Sequence, residues 1–124
     1  MSYADYSQVI SFGDSLSDTG NLFQATGSPP PPYFNGRFSN GPVWNEILTN
    51  NFGLSTPTPS LLGGTNHAWG GAQTNSAGNV PSTVNQVADF LTASGGSAEP
   101  GALYTISTGS MTLVAEWSLN LQAV

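Results

Sequence analysis

The chain has 124 residues, enough for one domain with a single core, and its 38% hydrophobic and 10% aromatic content argues against disorder despite 15 Gly and 9 Pro. Net charge is -6 and Arg37 is the only Lys or Arg, which argues against nucleic acid or an anionic membrane as partner, since each needs clustered cations. With no cysteine, disulfides and thiolate metal sites are excluded. Met1 to Tyr6 has no basic stretch leading into a long apolar one, so no signal peptide is visible. No apolar run approaches membrane-spanning length, and the compartment stays open.

Gln8 to Phe12 is a short apolar run, as expected of a strand buried on both faces. It leads into Gly13-Asp14-Ser15, a glycine-marked turn at the carboxyl end of that strand. In open α/β sheets ligands bind at this end. A serine held there has an exposed hydroxyl and a backbone N–H free to face an anion, two requirements of acyl transfer. Leu16 to Leu22 reads as a turn of helix or an ordered loop. Gly27 to Pro32 holds four consecutive prolines and is predicted to be a stiff, extended, polyproline-like surface loop. Asn35-Gly36 and Asn40-Gly41 mark turns. A helix is predicted from Pro42, with proline at its first position. Val43, Ile47 and Leu48 would share one face, and the helix would end near Asn51 to Gly53.

Ser55 to Gly64 is a loop rich in Pro, Gly and Thr. Thr65 to Trp69 reads as a short second strand, broken by Gly70-Gly71, and a further loop runs from Asn75 to Ser82. The spacing of Val84, Val87, Ala88 and Leu91 predicts a helix over Thr83 to Ala93, capped by Ser82 or Thr83. After the loop Ser94 to Gly101, Ala102 to Ser107 is a third strand. A last helix is predicted from Ser110, with Leu113, Val114, Trp117 and Leu121 inward. This alternation implies an α/β fold: a flavodoxin-like, three-layer α/β/α arrangement around a parallel sheet of about three strands, in one domain over residues 1–124. Leu119 to Val124 keeps a helical pattern with no stop signal, and the sheet is small. The chain therefore reads as the N-terminal portion of a domain, cut within a helix. An uncovered apolar sheet edge is then expected to favour self-association.

Phe12-Gly13-Asp14-Ser15-Leu16-Ser17-Asp18-Thr19-Gly20-Asn21 resembles the first signature block of the GDSL esterase/lipase family, the SGNH hydrolases. Three further stretches fit in order and spacing. Tyr33 to Trp44 looks like the segment that follows the nucleophile block in lipolytic members. Asn66-His67-Ala68-Trp69-Gly70-Gly71-Ala72-Gln73-Thr74 is similar to the second block, and Ala102 to Ile106 to the strand before the third. The resemblance implies hydrolysis of carboxylic esters through an acyl-serine, with a small-molecule ester as substrate and no cofactor.

The resemblance assigns the nucleophile to Ser15, whose own N–H is also an oxyanion donor. It assigns a second oxyanion N–H to Gly71, where the absence of a side chain lets the amide approach the developing charge. It makes Asp14 structural. Asp18 reads as a local acceptor for backbone amides. Two departures stand against this. In the third block Met111 and Thr112 occupy the places of an asparagine and an aspartate, and a thioether donates no hydrogen bond. Nothing matches Asp-x-x-His, the block that supplies the base. The single histidine, His67, reads as packed in the core rather than as base, and one histidine with scattered carboxylates gives no metal-ligand spacing. The chain is therefore expected to be weak or inactive alone. The alternative is a non-catalytic, degenerate member that binds a lipid or carbohydrate ester.

Overall fold

The computed structural model describes residues 6–75 and 78–109. The helix predicted from Ser110, with Met111 and Thr112, lies outside them. The apolar run forms strand β1, Gln8–Gly13, buried from Val9 onward. It pairs in parallel with β2, Ala102–Ser107, in the register Gln8 to Ala102 through Gly13 to Ser107. Both strands fall where the sequence predicts them. The parallel pairing, with helices in the connection, confirms an α/β fold.

The segment 65–69 is not a strand, contrary to expectation. It lies beside β1 on the edge away from β2, joined by a single bridge from Asn66 to Ser11. Three hydrogen bonds follow β1: Ser11 N–H to Thr65 (3.1 Å), His67 N–H to Ser11 (2.7 Å) and Trp69 N–H to Gly13 (3.1 Å). The ladder stops because its next link would use the Gly13 N–H, and that amide donates instead to Gln86 Oε1 at 2.9 Å. In chain order the three segments lie 2-1-3 across the sheet, the arrangement that opens a crevice at the carboxyl end of the central strand.

Helix α1, Asn21–Thr26, ends at Gly27, whose φ of 80° suits glycine and whose amide donates to Phe23. The proline run after it is not polyproline-like. Ser28–Pro29 and Pro31–Pro32 are cis, and Pro29 is buried. Helix α2, Trp44–Asn51, begins two residues after Pro42, with Val43 as N-cap. Glu46 reaches back to the Val43 amide at 2.8 Å and holds Arg37 at 2.6 Å, which fastens the loop before the helix to its first turn. A carboxylate there also suits the helix dipole.

The buried face of α2 is not the apolar one predicted. Ile47 is 53% exposed, whereas Asn45, Glu46 and Thr49 are buried. Helix α3, Thr83–Ala93, is capped by Ser82 as expected, with Asn85 N–H donating to its hydroxyl at 3.1 Å. Its face is also rotated: Val84 is exposed, and Thr83 and Gln86 are buried. The reason is the same for both helices. Each packs against β1 and turns a side-chain amide inward to meet backbone there: Asn45 donates to the Ser17 carbonyl at 3.1 Å, and Gln86 pairs with the Gly13 N–H and carbonyl. Among the described residues, thirteen polar side chains are buried against six hydrophobic ones, so hydrogen bonds specify this core as much as apolar packing does.

Candidate active site

Gly13 ends β1 with its backbone pressed against β2. A Cβ at position 13 would overlap the Ser107 carbonyl, so the close approach requires glycine. The chain then leaves the sheet. Asp14 is buried, and its side chain accepts from Leu16 N–H at 3.1 Å, while its carbonyl accepts from Ser17 and Asp18 at 3.0 Å each. Asp14 thus holds the turn as expected. It leaves Ser15 half-exposed at the carboxyl end of the sheet.

Asp18 is fully buried and does more than accept locally. Its carboxylate receives Gly20 N–H (2.7 Å), Asn21 N–H (2.7 Å), Leu22 N–H (3.2 Å) and, from 52 residues away, Gly70 N–H (2.8 Å). The turn at Gly70-Gly71 is therefore bonded directly to the turn that carries Ser15. Gly71 is exposed, with φ 85°. A Cβ there would make only an ordinary contact with Val80 at 3.9 Å, so its backbone conformation is what calls for glycine. At the neighbouring Gly70 space is what calls for glycine, because a Cβ would overlap the Phe38 ring.

Two asparagines complete the clamp. Asn66 donates to the Ser17 carbonyl (2.7 Å) and the Thr19 hydroxyl (2.9 Å), and accepts from Ala68 N–H (3.1 Å). Asn21 donates to the carbonyls of Asn66 and Ala68, both at 2.9 Å, and accepts from Leu61 N–H at 3.0 Å. Ser17 also receives the Asn45 amide at its carbonyl and the Trp44 indole at its hydroxyl. None of this wiring is legible from hydrophobic periodicity. Its only signal is that Asn21 and Asn66 sit inside the two resembling blocks. The third block begins beside the same end, where the Thr108 hydroxyl lies 2.6 Å from that of Thr83 and 3.5 Å from that of Thr74.

His67 faces the other way. Successive side chains in an extended segment alternate, so Asn66 turns to the Ser17 turn while His67 turns to α3. Its ring stacks on Phe12 at 5.2 Å and meets Phe90 edge-on at 5.6 Å. It also lines a cavity of about 330 Å³ with Leu61, Trp69, Pro81, Gln86 and Phe90. None of the four cavities described, this one included, is lined by Ser15 or Gly71. Burial lowers the His67 pKa from 6.5, partly opposed by the Asp89 carboxylate. The sign follows from linkage. The unfolded chain binds the proton more readily, so stability is lost as pH falls from 6.5 to the depressed folded value and levels off below it. Urea midpoints between about pH 5 and 8 should show this decline in the wild type and a flatter profile in His67→Phe. Equal slopes would place the titration elsewhere.

Among the described residues no helix is long and apolar enough to cross a membrane. The GDSL-like Lipase/Acylhydrolase family model matches residues 9–110. The chain is 58% identical over 50 residues to a phosphatidylcholine-sterol acyltransferase of Aeromonas hydrophila, covering 38% of this chain and 15% of that protein. It is 50% identical over 44 residues to a thermolabile hemolysin of Vibrio parahaemolyticus, covering 33% and 10%. It is 43% identical over 54 residues to the secreted effector protein SseJ of Salmonella typhimurium, covering 40% and 13%. The matches thus span only a small part of each relative's length. The family model takes in both strands and the two turns tied by Asp18, and the chain belongs to the GDSL-like lipase/acylhydrolase family.

Proposed function

We propose that this chain carries the nucleophile and part of the oxyanion hole of a carboxylic-ester hydrolase that works through an acyl-serine. The observation that carries the reading is the Gly70–Asp18 bond, which ties the turn of Gly71 to the turn of Ser15. In the reaction Ser15 Oγ attacks the ester carbonyl carbon and gives up its proton to a base. The N–H groups of Ser15 and Gly71 donate to the oxyanion, and the alcohol leaves protonated. Each such donor is worth about 3 kcal/mol of barrier. Water then releases the acid and restores the hydroxyl. An alcohol in place of water would make the same intermediate an acyl transfer, the reaction in the name of the Aeromonas relative. The base is not supplied by His67, whose ring is packed against Phe12 and Phe90. That packing favours a second reading, a non-catalytic member that binds a lipid or carbohydrate ester.

The test is covalent. After exposure to an alkyl fluorophosphonate, peptide mass spectrometry should find the adduct on Ser15 and none on that peptide in Ser15→Ala. Equal modification of Ser15, Ser17 and Ser28 would reject the hydrolase reading and leave the ester-binding one.

A further inference from the structure

We infer that Gln86 is a positioning residue for the turn that carries Ser15; this rests on the hydrolase reading above. Gln86 lies on the inner face of α3 and is 2% exposed. Its Oε1 accepts from Gly13 N–H at 2.9 Å, and its Nε2 donates to the Gly13 carbonyl at 2.9 Å and to the Pro81 carbonyl at 3.2 Å. The side-chain amide thus pairs with both backbone groups of the last residue of β1, across 73 positions of sequence.

The location gives this pairing its consequence. Gly13 is the hinge between a strand fixed by its ladder and a turn outside it. Two residues beyond Gly13 is Ser15. The Gly13 carbonyl also accepts from Trp69 N–H, so Gln86 holds a backbone group that links the start of the nucleophile turn to the chain leading to Gly71. Only a primary amide can fill this role in full. A carboxylate lacks the donor, and an apolar side chain of the same length lacks both donor and acceptor, leaving two buried backbone groups to find other partners. Reactions of this kind tolerate little displacement: a misplacement of about 1 Å can cost on the order of 100-fold in rate.

Gln86→Met removes both contacts at nearly constant volume, and Gln86→Glu removes only the donor. Residue-resolved amide hydrogen exchange on this chain should show a tenfold or greater acceleration at Gly13 to Ser17 and at Trp69 to Ala72 in Gln86→Met. Amides of Phe90 and Leu91 should stay within about twofold. In Gln86→Glu, lowering the pH until the new carboxyl is protonated should restore protection at Gly13. Gln86→Met at the same pH serves as reference, because His67 titrates in every variant. Acceleration spread evenly over the chain, or no change at Gly13, would overturn the assignment. In parallel, fluorophosphonate labelling of Ser15 should slow about tenfold or more in Gln86→Met, with the reagent's saturation constant unchanged. A loss confined to that constant would also overturn it. If wild-type Ser15 proves no more reactive than Ser17, the hydrolase reading fails, and exchange alone then decides the role of Gln86.

Discussion

Replacing Asp18 with alanine is expected to remove about 3 to 5 kcal/mol of stability, a large share of what a domain of this size possesses. The carboxylate is fully buried and receives four backbone N–H groups. Three open α1, and the fourth belongs to Gly70. Alanine leaves all four without their acceptor in a region closed to water, and each costs about 1 to 3 kcal/mol less whatever relaxation recovers. Equilibrium urea unfolding reads the effect as a lowered midpoint at unchanged slope. A loss below about 1 kcal/mol would mean that water replaces the carboxylate. Ser15→Ala is the contrast, because Ser15 is half-exposed and its hydroxyl carries none of these bonds. Its midpoint should stay within about 0.5 kcal/mol of the wild type.

Asn66→Asp should be nearly as damaging, at about 3 to 4 kcal/mol, and more so than Asn66→Ala. The aspartate keeps the acceptor for Ala68 N–H. It loses the N–H groups that reach the Ser17 carbonyl and the Thr19 hydroxyl, and it turns an oxygen towards that carbonyl at 2.7 Å. Asn66 is 0% exposed, so the new charge cannot be hydrated. Alanine leaves a small void and unpaired groups but introduces no repulsion. Urea midpoints of the two variants at neutral pH test the order. An Asp variant as stable as the Ala one would show that the pocket admits water or a proton.

The sequence reveals the scaffold more readily than the clamp. β1 and β2 are apolar runs bounded by turn residues, and α3 carries a serine cap, so local signals suffice for them. The helix faces are not legible from apolar spacing, because Asn45, Glu46, Thr49 and Gln86 take the inner positions. Asn45 and Gln86 bond backbone groups far away in sequence, at Ser17 and Gly13, and periodicity carries no record of those. The irregular segment 65–69 is hidden for a related reason. Its β-like composition says nothing of the Gln86 side chain taking the Gly13 N–H that would extend the pairing. The site divides the same way. The roles proposed for Ser15 and Gly71 rest on block resemblance, and the local acceptance by Asp18 follows from turn chemistry. The Asp18–Gly70, Asn21–Asn66 and Gln86–Gly13 connections need coordinates.

The partner of β1 arrives late. Ser11 meets Thr105 across 94 positions, so the central strand emerges from the ribosome long before the strand it pairs with exists. Closing so long a loop costs on the order of 4 kcal/mol before any contact repays it. The turn of Ser15, which follows the end of β1, is therefore completed in the closing stage of folding, and a nascent chain stalled ahead of residue 102 holds Ser15 without the strand that flanks it.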